Sequence, residues 1–139
     1  MNDKIIKVLF ERFNKIVKRI ESGDFSKIES LVVPKDRKGI YIIMQEGGDI
    51  FYVGSSGKRS LYKRIILNHI NGNINVSSLR KKLLKRFLSE EAISNYLNNK
   101  CLFLIEPISD FDEILAIEYL LIYYLRKKGK ILENNFSKN

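Results

Sequence analysis

Apolar side chains recur at Ile5, Leu9, Phe13, Ile16, Val17 and Ile20, with Lys7, Glu11, Lys15, Lys18 and Arg19 elsewhere on the cylinder. That is the spacing of an amphipathic helix with one buried stripe. The pattern stops at Ser22-Gly23. Phe25 to Val33 suits either a helical turn or a strand, and Pro34-Lys35-Asp36-Arg37-Lys38 reads as an exposed connection. Residues 1–38 are therefore expected to form a helical arm or lid packed on a domain made by residues 39–139.

At Gly39 the period changes. Gly39 to Met44 is rich in β-branched residues, Gln45-Glu46-Gly47-Gly48-Asp49 is a turn, and Ile50 to Val53 resumes strand character. Such an antiparallel hairpin brings Tyr41 and Tyr52 close together, with the register left open by the loop length. Gly54-Ser55-Ser56-Gly57 breaks the second strand, and a helix over Leu61 to Ile70 is closed by Asn71-Gly72-Asn73. Ser77 or Ser78 can cap a basic helix through Leu79, Leu83, Leu84, Phe87 and Leu88, and a short helix covers Glu90 to Asn98. Cys101 to Ile105 is read as a fully buried central strand ended by Pro107. The last helix begins at Asp110, as cap, with Glu113 closing a capping box, and runs to Lys128-Gly129. It is apolar nearly all round and is expected in the core. Mixed helices and strands of this kind place the chain in the α/β (α+β) class.

A length of 139 residues allows one ordinary domain, and a hydrophobic fraction of 45% argues against disorder. A formal charge of +9 points to a polyanionic partner. Lys58, Arg59, Lys63, Arg64, Arg80, Lys81, Lys82, Lys85 and Arg86 fall in a stretch with no Asp or Glu, which favours a nucleic-acid face over a solvated helix surface. The single cysteine, Cys101, packs as a small hydrophobe in an apolar run. One Cys and one His exclude an internal disulfide and a Cys/His metal cluster, so any bound metal must be a hard cation held by oxygen. The first residues lack a signal-peptide core, so a reducing cytoplasm is expected, and no run approaches the roughly 20 apolar residues of a membrane span.

Glu118 stands alone among apolar neighbours on the last helix. A buried carboxylate needs a compensating partner, either a Lys or Arg or a cation such as Mg²⁺ or Mn²⁺, which keeps several waters and needs few protein ligands. Tyr41 and Tyr52 can act as phenolate or as hydrogen-bond donor, and a nearby cation would lower their pKa from about 10. Arg64 offers a planar fork for phosphate, with Arg59 or Lys63 as substitutes if the helix phase differs. His69, the sole histidine, can accept a proton, although a step of five puts it about 140° from Arg64 on an ideal helix.

The ordered set Gly39-Ile40-Tyr41, Tyr52-Val53-Gly54, Leu61-Tyr62-Lys63-Arg64, Asn68-His69, Glu118 and a late asparagine resembles the GIY-YIG nuclease superfamily over residues 39–135. The resemblance implies a three-stranded antiparallel sheet flanked by helices that cuts DNA with one divalent ion, Mg²⁺ or Mn²⁺. It implies that Tyr41 helps activate the attacking water, Tyr52 positions phosphate or metal-bound water, Arg64 stabilises the transition state, His69 assists proton transfer and Glu118 holds the metal. Asn134 or Asn135 would be the ordering asparagine. The Arg64-to-His69 step differs by one from the shorter family form. Ser55, Lys58, Arg59, Lys63, Arg80 and Lys81 are expected on the DNA, with the Ser78-Leu79-Arg80 stretch as a backbone contact face.

The leading expectation is a metal-dependent DNA endonuclease or nickase. The alternative is a catalytically inactive nucleic-acid-binding module of the same fold, which needs the basic helices but not Glu118. A membrane-surface or protein-partner module built on the N-terminal helix is disfavoured, because its polar face mixes acids with bases.

Overall fold

The computed structural model describes residues 3–134. Helix α1 spans Lys4–Glu21, β1 Gly39–Gln45, β2 Asp49–Ser55, α2 Ser78–Phe87, α3 Glu90–Asn99, β3 Cys101–Pro107 and α4 Phe111–Lys127. A π-helix, Lys63–Ile70, follows β2, and the ambiguous Phe25–Val33 stretch contains a 3₁₀ turn at Ile28–Ser30. The strands form one antiparallel sheet in the order β2-β1-β3.

The order corrects the expectation for Cys101–Ile105. β1, not β3, is central. β3 can carry an apolar run at the edge because its outer side is covered: Ser26 pairs with Phe103, exchanging N–H···O bonds of 3.0 and 2.7 Å. The opposite edge, β2, is covered in part by the C-terminal segment. Glu133 N–H donates to Phe51 O at 2.7 Å, and the Asn134 amide bonds both the N–H and the C=O of Val53. These attachments use up edge groups that would otherwise invite pairing with another chain.

Alternating side chains of β1 feed two cores. Tyr41, Ile43 and Phe103 face the π-helix, α2 and α3, where Leu61, Ile65, Leu79, Leu83 and Ile93 meet them. Ile40, Ile42 and Leu104 face α1 and α4, packing on Ile16, Ile114, Ile117 and Leu121. α4 is not apolar all round in its setting, since Tyr119 and Tyr123 are exposed on its outer side. Nor does Asp110 cap it through its side chain. Glu113 is ion-paired with Arg12 of α1 instead of closing a box. Buried Glu106 on β3 takes Arg19 at 2.7 Å and Lys15 at 3.1 Å, so α1 compensates a carboxylate that the sheet would otherwise leave desolvated.

Gly39 begins β1 directly against β3. A Cβ there would lie 2.8 Å from Pro107 Cα and closer still to the Glu106 carbonyl oxygen. Gly39→Ala should therefore force the strands apart and lower stability by about 2–3 kcal/mol, read as a fall in the urea midpoint. An unchanged midpoint would show that the β1–β3 approach carries no constraint.

Candidate active site

In the hairpin Tyr41 lies opposite Gly54 and Tyr52 opposite Ile43, so both phenols project from one face as diagonal neighbours. Their rings stack 6.1 Å apart at 29°. The Tyr41 ring lies over Gly54, where an added Cβ would come within 2.7 Å of Tyr41 Cε2. The glycine of the second motif is thus the space through which the first motif's tyrosine reaches the β2 edge.

The Tyr41 hydroxyl meets His69 Nε2 at 2.6 Å. His69 is brought there by the π-helix, whose Asn71 N–H bonds back to Ile66 O at 2.8 Å. In i→i+5 winding, residues five apart become near neighbours along the axis. The 140° separation of Arg64 and His69 belongs to an ideal α-helix and does not arise here. The extra residue in the Arg64-to-His69 step is absorbed by the wider turn.

His69 is fully buried, and its other ring nitrogen, Nδ1, lies 2.5 Å from Ser77 Oγ. Ser77 is the N-cap of α2, accepting from Arg80 N–H at 3.0 Å. Burial chiefly, then the charges of Arg64 and Arg80, push the imidazole down to about 3, so it is neutral at pH 7. Ser78, the next residue, sits at the Tyr52 phenol and lowers its pKa, against burial, which raises it. The serines were read from sequence as helix caps only; nothing in the Ser-Ser pattern told of the two rings they touch.

Burial also decides Tyr41. Its pKa is raised well above 10 by desolvation and by Tyr52, and the opposing Arg64 does not overcome this. The expectation that a cation would make a ready phenolate is corrected: the free site holds a phenol. Arg64 approaches the phenol from the π-helix, with its Nε buried and without a hydrogen-bond partner among the described residues.

Glu118 comes from α4, on the other side of the sheet, yet reaches the same place around the β2 edge. It bonds Ser55, the last residue of β2, and it acts electrostatically on both tyrosines and Arg64. Half-buried, it makes no ion pair with any described Lys or Arg. Burial raises its pKa, offset by Ser55 and Arg64. A desolvated carboxylate without an ion-pair partner suits a hydrated Mg²⁺ or Mn²⁺. No group of three or more His, Cys, Asp or Glu that could hold a metal occurs among the described residues, so Glu118 would be its one acidic ligand. Asn134 is buried against Val53, between Tyr52 and Gly54. Asn135 lies outside the described residues.

Of the expected DNA contacts, Lys58, Arg59, Lys63 and Lys81 are exposed and Ser55 is partly so. Arg80 is a correction. It is 1% exposed, and its guanidinium donates to the carbonyls of His69, Ile70 and Glu90 and to Ser94 Oγ, besides pairing with Glu90 Oε1 at 3.1 Å. With every arm engaged inside the protein it ties the end of the π-helix to α3 and cannot grip a phosphate.

The neutral imidazole has a thermodynamic consequence. Between pH 6.5 and about 3 the unfolded chain binds a proton at this histidine and the folded chain does not, so stability falls as pH falls through that window. From pH 7 to pH 5 the native protein should lose about 2 kcal/mol more than His69→Gln, in urea titrations at each pH. Parallel losses in the two proteins would mean that the ring protonates in place.

The comparisons fit the geometry. A family model described as the GIY-YIG catalytic domain matches residues 37–131, which contain Tyr41, Tyr52, Arg64, His69 and Glu118. No curated protein and no solved structure matches the chain. No helix among the described residues is long and apolar enough to cross a membrane. With the match spanning well over half of its length and the sheet and helices of a nuclease-type fold, the chain belongs to the GIY-YIG family.

Proposed function

We propose that the protein is a divalent-metal-dependent DNA endonuclease that hydrolyses a phosphodiester at the open end of β2. The observation that carries this reading is the meeting of Tyr41, Tyr52, His69, Arg64 and Glu118 at one edge, although they come from five separate elements. A DNA-binding module needs no such meeting and no desolvated carboxylate.

Glu118 holds Mg²⁺ or Mn²⁺ beside the Ser55 hydroxyl, and the ion, when bound, supplies Lewis-acid polarisation of the phosphate and acidifies water. Arg64 takes the non-bridging oxygens with its free guanidinium edge and stabilises the charge that develops on them. A water oxygen bonds to phosphorus as the bond to the leaving oxygen breaks. The water's proton passes to the Tyr41 oxygen as Tyr41 hands its own to His69 Nε2, so no phenolate is required in the resting site. His69 Nδ1–H donates to Ser77 meanwhile, which leaves Nε2 as the acceptor. The bound phosphate offsets Arg64, one of the two charges that hold the imidazole so low, and so raises its basicity when substrate is present. Tyr52 donates to a phosphate oxygen from the far side of the stacked pair.

Supercoiled plasmid incubated with protein and Mg²⁺ should be nicked or linearised. Arg64→Ala should lower kcat by about 10²–10³, the cost of losing one charge-stabilising donor, and Glu118→Ala should abolish cleavage while DNA affinity persists. Cleavage that survives Glu118→Ala would remove the mechanism. Salt-sensitive binding with no product under any divalent ion would identify an inactive binding module.

A further inference from the structure

Beside the site, the connection before β1 and the loop after β2 enclose a second concavity. Its volume is about 410 Å³, and it is lined by Asp36, Arg37, Lys38, Lys58, Arg59, Ser60 and Ser109. Four cations face one carboxylate, and none of the five is in an ion pair among the described residues. Lys58 lies over the Phe111 ring, 5.3 Å from its centroid, which fixes the lysine stem at the start of α4. The local backbone donors are already used: Leu61 N–H goes to Arg37 O, Tyr62 N–H to Pro34 O, and Lys63 N–H to Ser60 Oγ. An anion here would be held by side chains, chiefly the guanidiniums of Arg37 and Arg59. Like charges gathered in one concavity repel one another, and nothing on the described chain neutralises them.

We infer that this concavity seats a non-scissile phosphate of the DNA strand being cut, two or three nucleotides from the cleaved bond. The inference rests on the endonuclease reading for the word "cut" and on the cation cluster for the phosphate. Two rulers set the offset. Ser60 is one helical turn from Arg64, their backbones joined by the Arg64 N–H to Ser60 O bond, for a rise of about 6 Å. Phe111, under Lys58, is seven positions before Glu118 on α4, a rise of about 10 Å. Phosphates on one strand advance about 3.4 Å each along the duplex axis, so a span of 6–10 Å corresponds to two or three of them. Such a contact fixes register and carries no base information. It also gives the Pro34-to-Lys38 connection, which the basic run of residues 58–86 does not include, a part in substrate binding.

The test pairs Arg37→Ala/Lys38→Ala with Lys127→Ala/Lys128→Ala, which removes equal charge from the end of α4. Binding to a fluorescent duplex is measured in EDTA across salt concentrations. Cleavage in Mg²⁺ is mapped on a duplex with one neutral methylphosphonate linkage. The slope of log K against log salt should shrink by about two for the Arg37/Lys38 variant, near 0.9 per lost contact, and hold for the Lys127/Lys128 variant. The native protein should spare bonds two or three nucleotides to one side of the neutral linkage, and the Arg37/Lys38 variant should cut them as well as their neighbours. Equal slopes for the two variants, or a protected position that persists in the Arg37/Lys38 variant, would overturn the assignment. A reduced slope with no cleavage by any protein would leave the phosphate seat standing and bring down the endonuclease reading instead. Retention of the native protein on anionic vesicles but not on DNA would overturn both.

Discussion

The ring of Tyr41 rises from the central strand, crosses over the next strand and ends with its hydroxyl at the sheet edge, and only a residue without a side chain at position 54 leaves room for that path. Everything else in the site is placed relative to that hydroxyl. His69 meets it because the helix after β2 winds with i→i+5 bonds, and the ring is held from behind by Ser77 at the start of α2. Arg80, three residues on, donates to the carbonyl of His69 itself. One helix start therefore secures both the side chain and the backbone of the residue that faces Tyr41. The two glycines of the hairpin act by close approach, at ordinary backbone angles, one admitting β3 and the other admitting the tyrosine ring.

Charge is arranged sparingly at this edge. Burial keeps Tyr41 and Tyr52 as phenols and His69 as neutral imidazole, so the site's charges are Arg64 and Glu118, one from each side of the sheet. Neither is in an ion pair among the described residues. Two opposite charges held near each other but free to bind are suited to a ligand that is itself a pair, an anionic phosphate with a hydrated cation. An Arg64–Glu118 salt bridge would have satisfied the same burial penalty and closed the site.

Much of this was legible in the sequence. The hairpin at Gly39–Val53, the helix caps at Ser77 and near Glu90, and the isolation of Glu118 all follow from local periodicity and composition. What was not legible has a common cause. Strand order depends on what covers an edge, and the pairing of Ser26 with Phe103 lies in a stretch whose apolar pattern has no clear period. The winding of Lys63–Ile70 depends on tertiary packing of Leu61, Ile65 and Ile70 against the sheet, while the residues themselves suit an α-helix equally well. Arg80 and Arg64 look alike in a basic run. Only the fold tells that Arg80 meets helix-end carbonyls and Glu90, and Arg64 meets a cleft.

α1 shows how a segment before the family match still bears on the site. The match begins at residue 37, but Ile16 of α1 is fully buried in the core that α4 shares. Phe13 meets Tyr124 edge-on at 5.8 Å, Arg12 pairs with Glu113, and Arg19 with Lys15 neutralises Glu106 on β3. The first two contacts fall on either side of Glu118 along α4, about one turn and a half away in each direction. A helix gripped at both points has little freedom to rotate about its axis, and rotation is the motion that would carry Glu118 away from Ser55. The carboxylate's place at the β2 edge is thus fixed from behind by residues that never touch the site, which is why the N-terminal helix belongs to the same mechanical unit as the residues it stands behind.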